Sequence, residues 1–292
     1  MASQTDVELR AGRLSLALSP SIGGSIRELL WDGARGILRR CDSGSQKVLD
    51  HACFPLVPYV NRIRGGEFEF RDRTVRLRPN MQGDPSPLHG QGWLNPWTVR
   101  SADERTAVLT YRHDADEWPW AYEARQDVSL DDARLSMRLT CTNRSKEPMP
   151  CGLGFHPYFP CGPGTRLDTD VGCAWTIDEH VLPVEKVPAE GRYDLKDRAV
   201  CGQDLDNGFG DWGGSAAMTD PGWPYTLRMS SPNARFFQLY SPPTGGLFVA
   251  EPITHANAAL NKPEERWAEL GLRVLDPGEA MQLDMRIDVR PG

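Results

Sequence analysis

Arg134-Leu135-Ser136-Met137-Arg138-Leu139-Thr140-Cys141 carries an apolar side chain at every second position, with polar or charged residues between. Side chains of an extended chain point alternately to opposite sides, so Leu135, Met137, Leu139 and Cys141 gather on one buried face. Tyr122 to Leu130 reads as the partner strand and Asp131-Asp132 as the turn. The same period recurs in Glu67-Phe68-Glu69-Phe70 and Thr74-Val75-Arg76-Leu77, joined by Arg71-Asp72-Arg73. It returns in Met281, Leu283, Met285, Ile287 and Val289, after the turn Asp276-Pro277-Gly278-Glu279.

Further strands are expected at 13–18, 25–31, 97–102, 105–111, 149–156, 225–230, 235–240 and 247–251. Pro263–Leu270 is the one segment expected to make a turn or two of helix. The 28 glycines and 24 prolines suit many short strands joined by turns. The expected fold is therefore all-β, a large and mostly antiparallel sandwich with few short helices, formed as one domain over 1–292. The segments 78–96 and 157–172 are expected as long loops, where binding residues tend to lie.

Composition excludes several function classes. The 33 basic residues against 40 acidic ones give a net charge of −7, and no basic stripe is present to meet a nucleic-acid backbone or an anionic membrane. No stretch approaches the ~20 apolar residues of a membrane span, and the N-terminus lacks a signal-like basic and apolar pattern. Seven cysteines, with no CxxC pair, point to reduced thiols and a cytoplasmic protein.

Three separated islands carry proton chemistry: PSPLHGQGW around His89, GLGFHPYFP around His156 and LFVAEPITHANAALN around Glu251. Two imidazoles and a carboxylate in one pocket make an acid–base site that needs neither cofactor nor metal. Asn61 and Arg62 add hydrogen-bond donors for a polyhydroxylated ligand, and Trp93 or Trp97 could offer a flat face to a sugar ring. Each piece has a plainer reading. His89 could be a turn residue, His156 a core histidine, Glu251 half of a salt bridge, and Arg62 the partner of a surface acid.

Taken in order, PYVNRIRGGEFEF, LHGQGW, GFHPYF, DLDNGF, FVAEPITHANAALN and LDPGEAMQLDMRI resemble the aldose 1-epimerase (galactose mutarotase) family over essentially the whole chain. The resemblance implies a β-sandwich of the galactose mutarotase type that interconverts the α and β anomers of a free aldose. It implies His156 as the general acid at the ring oxygen and Glu251 as the general base at the anomeric hydroxyl. His89 would support proton transfer, while Asn61, Arg62 and Asp206 would hold the sugar. Asp204 and Asp211 lie close enough in sequence to compete with Asp206 for that role.

That chemistry expects His156 protonated and Glu251 ionised at rest. Other readings are a non-catalytic sugar-binding module, a His89–His156–Glu251 metal site, a glycoside hydrolase or lyase using Asp206 and Glu251, and a hexose-phosphate mutarotase using Arg62 and Arg64. His255 is expected either to tune specificity or to face solvent. The sequence leaves the sugar and the oligomeric state open.

Overall fold

The computed structural model describes residues 6–42 and 44–292. The first five residues of the N-terminal segment read above as lacking a signal lie outside them. Strands Tyr122–Asp131 and Arg134–Asn143 form the expected hairpin, with Val128 opposite Met137 and Leu130 opposite Leu135. On its other side, Arg134–Asn143 pairs with Ala280–Pro291, setting Met137 against Met285 and Leu139 against Leu283. These strands lie within a nine-stranded sheet. Leu135, Leu139 and Cys141 are fully buried, as their period requires.

An eight-stranded sheet supplies the second layer of that core. Its order runs Pro183–Pro188, Cys173–Ile177, Leu205–Gly210, Phe236–Ser241, Leu247–Ile253, Gly154–Phe155 and Pro55–Leu56, with Tyr158–Pro160 also paired to Leu247–Ile253. The ladder pairings within both large sheets are antiparallel. Phe237, Leu239, Phe248 and Ala250 face the core shared with the nine-stranded sheet. Their strand neighbours point the other way, and Phe236, Val249 and Ile253 pack there with Phe54, Trp93 and Tyr158. This second face carries the candidate site.

Three expectations need correction. The segment 157–172 is not one loop, because it contains strands Tyr158–Pro160 and Arg166–Thr169; Pro157 and the Gly162-Pro163-Gly164 run hide their short pattern. The 149–156 strand is split. Met149–Cys151 pairs with Arg273–Leu275, whereas Gly154–Phe155 joins the site-bearing sheet. The cysteines are not all reduced either. Cys161 and Cys201, 40 residues apart in sequence, have Cα atoms 5.7 Å apart and form a disulfide. Tertiary folding creates that proximity, since both cysteines meet the Gly245-Gly246 turn. The 263–270 segment holds a single short 3₁₀ turn, Glu264–Arg266. Among the described residues no helix is long and apolar enough to cross a membrane.

Gly152, between the two pieces, meets a steric requirement for glycine. A Cβ at Gly152 would overlap the His255 ring, which is only 1% exposed. His255 Nδ1 donates to the Ala256 carbonyl (2.8 Å), and Nε2 accepts the Val60 backbone N–H (3.0 Å). Both ring nitrogens are used, so His255 neither reads a ligand nor faces solvent. It clamps the Val60-Asn61 turn to the end of the Glu251 strand. Gly152→Ala is expected to lower stability by about 3 kcal/mol through overpacking. A urea midpoint equal to that of the parent protein would contradict this.

Candidate functional site

Antiparallel register builds the centre of the site. Glu251 lies directly opposite Gln238, and Gln238 lies opposite Gly208. Side chains directly across such a ladder share a face, so Glu251 and Gln238 project together. Asp206, two residues before Gly208, points to the same side, and its Oδ1 accepts a 2.7 Å hydrogen bond from Gln238 Nε2. Strand phase thus places Asp206 beside Gln238 and Glu251 on the site face. Asp204 precedes the strand at φ 53° and Asp211 follows it at φ 55°, and both are exposed. Gln238 was missed from sequence because no motif marks it within Phe236–Ser241. Its only signal is a polar residue inside an otherwise apolar and aromatic strand.

His156 arrives from the connection between Gly154–Phe155 and Tyr158–Pro160. Its backbone N–H donates to the Phe54 carbonyl (3.1 Å), and its ring stacks on Phe54 with centroids 4.6 Å apart. Its Nε2 stands 3.6 Å from Glu251 Oε1. His89 lies edge-on to His156, with centroids 5.4 Å apart. Both Asn61 and His89 adopt left-handed backbone conformations, φ 56° and 60°, which non-glycine residues hold only where surroundings enforce them. Here the enforcement is reciprocal. The His89 N–H donates to the Asn61 carbonyl (3.0 Å), and the Asn61 N–H donates to His89 Nδ1 (3.0 Å). Because a backbone N–H only donates, neutral His89 carries its proton on Nε2, as a donor toward a ligand.

Arg62 is held by a buried acid, not a surface one. Its Nε donates to Asp84 Oδ2 (2.8 Å) and a terminal nitrogen donates to Asn61 Oδ1 (3.2 Å), with side chains only 12% and 8% exposed. Asp84, another residue missed from sequence, was hidden in the 78–96 loop. Arg64 is half-exposed and pairs with Asp178 (3.3 Å). Trp93 and Trp97 are each 1% exposed and donate to the carbonyls of Leu88 and Gly92, so neither presents a free face to a sugar. Trp175 is half-buried instead, and its ring packs over Gly208 and Gly210.

Burial sets the protonation of the pair. It pushes His156 down to about 3, with the nearby Arg39 charge acting in the same direction. Burial pushes Glu251 well above the usual carboxylate range, and Asp206 adds like-charge repulsion against the opposing pull of Arg62. The Asp206 carboxyl is raised as well, again chiefly by burial. Burial thus disfavours the charged form of both groups, and favours a neutral His156 and a protonated Glu251 over the charged pair expected at rest. Among the described residues, no three His, Cys, Asp or Glu side chains cluster closely enough to hold a metal ion.

The sequence profile of the aldose 1-epimerase family matches residues 5–288. The chain belongs to the aldose 1-epimerase family. It is 31% identical over 286 residues to the uncharacterized Escherichia coli protein YphB, covering 94% of this chain and 96% of YphB. It also superposes on the solved structure of an E. coli protein provisionally assigned as an aldose 1-epimerase, with TM-score 0.91, 31% identity and 99% of each chain covered. A galactose mutarotase-like protein of Clostridium acetobutylicum superposes with TM-score 0.85 at 18% identity, over 98% of this chain and 95% of that one. At that identity the likeness shows the fold alone.

Three buried imidazoles are displaced in the same direction: His89 falls well below its ordinary value, His156 to about 3 and His255 to about 4, in each case mainly by burial. In the unfolded chain they would protonate near 6.5. These histidines therefore erode stability as the pH falls through 6.5 toward 4, and the raised Glu251 and Asp206 carboxyls offset part of that loss. Ring ¹⁵N shifts of all three are expected to stay those of neutral imidazole from pH 8 to pH 5. A His156 titration near 6.5 would refute the neutral resting pair.

Proposed function

We propose that the protein is an aldose 1-epimerase that interconverts the α and β anomers of a free aldose. The observation that carries this reading is the approach of His156 Nε2 to Glu251 Oε1, 3.6 Å apart, beside a set of side chains suited to sugar hydroxyls. Exchanging anomers means opening the C1–O5 bond and reclosing it on the other face. In opening, His156 gives a proton to O5 as Glu251 takes one from the C1 hydroxyl. The C1=O group then turns about C1–C2. In closure, Glu251 returns its proton to the former carbonyl oxygen while His156 removes the proton from the O5 hydroxyl. No atom is gained or lost.

The neutral pair of the empty site is the state that performs closure, and opening starts with the same proton on His156. Sugar hydroxyls packed against both groups replace part of the hydration lost on burial and so favour the charged arrangement. His89 Nε2–H is the fixed donor beside His156, and it stabilises charge developing on the ring oxygen. Asp206 and Gln238 accept from and donate to sugar hydroxyls, while Arg62 and Asn61 supply donors. These contacts hold the remainder of the sugar as C1 rotates.

Saturation transfer between α and β anomer NMR signals across a panel of aldoses tests the reading directly. His156→Ala and Glu251→Gln are each expected to lower exchange by about 10²–10⁴-fold while the protein stays folded. Near-parental exchange by either variant would remove that residue from the mechanism. Asp206→Asn is expected to raise KM more than it lowers kcat, because Asp206 grips hydroxyls away from the reacting bond. A pure kcat loss would contradict that role.

A further inference from the structure

The site-bearing face continues past the catalytic pair. Two residues along each strand from Gly208 and Gln238, a shift of about 7 Å, lie Gly210 and Phe236. They border a cavity of about 320 Å³ that is also lined by Trp175. The Trp175 ring lies over both glycines: a Cβ at Gly208 would stand 3.8 Å from it, and one at Gly210 3.0 Å. Its centroid is 6.1 Å from that of Phe236. Trp175 is thus a wall shared by the candidate catalytic face and the cavity.

The polar lining of this cavity is biased toward cations. Lys186, Arg235, Lys262 and Arg266 stand against two carboxylates, Asp211 and Glu269, in a chain of net charge −7. Arg266 is neutralised by Glu269 at 2.7 Å. Lys186, Arg235 and Lys262 form no ion pair among the described residues, whereas Arg62 is tied to Asp84 and Arg64 to Asp178. The Lys186 ammonium is placed over the Trp175 ring, 5.8 Å from its centroid. Unpaired cations of one sign at the end of an aromatic-walled cavity form a receptor for an anion.

We propose that this cavity is an anion-accepting subsite, and that the preferred substrate is an aldose bearing an acidic group, a carboxylate or a phosphate, remote from its free anomeric centre. The sugar ring lies over Gln238 and Asp206 with C1 facing the adjacent His156 and Glu251, and its acidic substituent passes Trp175 to meet Lys186, Arg235 and Lys262. This assignment rests on the mutarotase reading for the position of C1. The cationic cavity itself does not depend on that reading.

The test compares glucose, glucuronate and glucose 6-phosphate by anomer-exchange NMR, using the full-length protein and the Lys186→Ala/Lys262→Ala double variant. The parent protein is expected to show a kcat/KM at least about tenfold higher for one acidic sugar than for glucose, with the advantage shrinking as salt rises. Which acid gains distinguishes a carboxylate from a phosphate. The double variant is expected to lose that advantage while its exchange on glucose stays within about twofold of the parent. Equal use of neutral and acidic sugars, or an advantage that survives in the double variant, would overturn the proposal. Calorimetric titration of both proteins with glucuronate, glucose 6-phosphate and inorganic phosphate separates the two readings. If no sugar exchanges, the mutarotase reading fails, yet binding of an acidic ligand that is lost in the double variant still supports the subsite. Absence of binding to the parent protein would overturn it.

Discussion

The Glu251 carboxyl hangs from the interior of a buried strand, and much of the site follows from keeping it there. Its strand is clamped on one side by Phe236–Ser241 and on the other by Gly154–Phe155 and Tyr158–Pro160. A carboxylate in such a place is held up in pKa by lost hydration and by the nearby Asp206. It therefore favours its protonated form more than an ordinary glutamate does. The same burial disfavours protonation of His156. Both groups therefore favour their neutral forms, and burial by the fold is the main cause in each case.

Rigidity around the pair comes from reciprocal backbone clamps. Asn61 and His89 hold each other in left-handed conformations, and His255 ties the turn before Asn61 to the end of the Glu251 strand. Asp84 then fixes Arg62. None of these contacts requires a ligand, so the polar groups of the candidate site are held in place by the fold itself. Preorganisation of this kind removes ordering costs from the binding step.

Behind His156 a second layer acts through charge. Arg39 stacks over the Tyr158 ring at 3.6 Å, and Tyr158 packs against His156 with centroids 4.8 Å apart. The Arg39 guanidinium also donates to the carbonyls of Leu49 and His51, which fixes it in place. A fixed cation behind an aromatic ring adds to the electrostatic cost of protonating His156.

The sequence by itself determined the β character and the residue types of the candidate proton carriers. Alternation in Arg134–Cys141 and Met281–Val289 can bury only one face of an extended chain, and the islands around His89, His156 and Glu251 name their chemistry by residue type. It also contained the family resemblance, because ordered motifs survive as strings. Tertiary structure decided what depends on contacts between distant segments. Gln238 entered the site through a ladder register, Asp84 through the course of a loop, and Trp175 by folding over two glycines. Trp93, Trp97 and His255 left it because each is buried with its polar atoms already paired. Cys161 and Cys201 became a pair only when two loops met one turn. Periodicity and residue type are local and can be read along the chain. Burial, register and protonation depend on what the remainder of the chain places nearby.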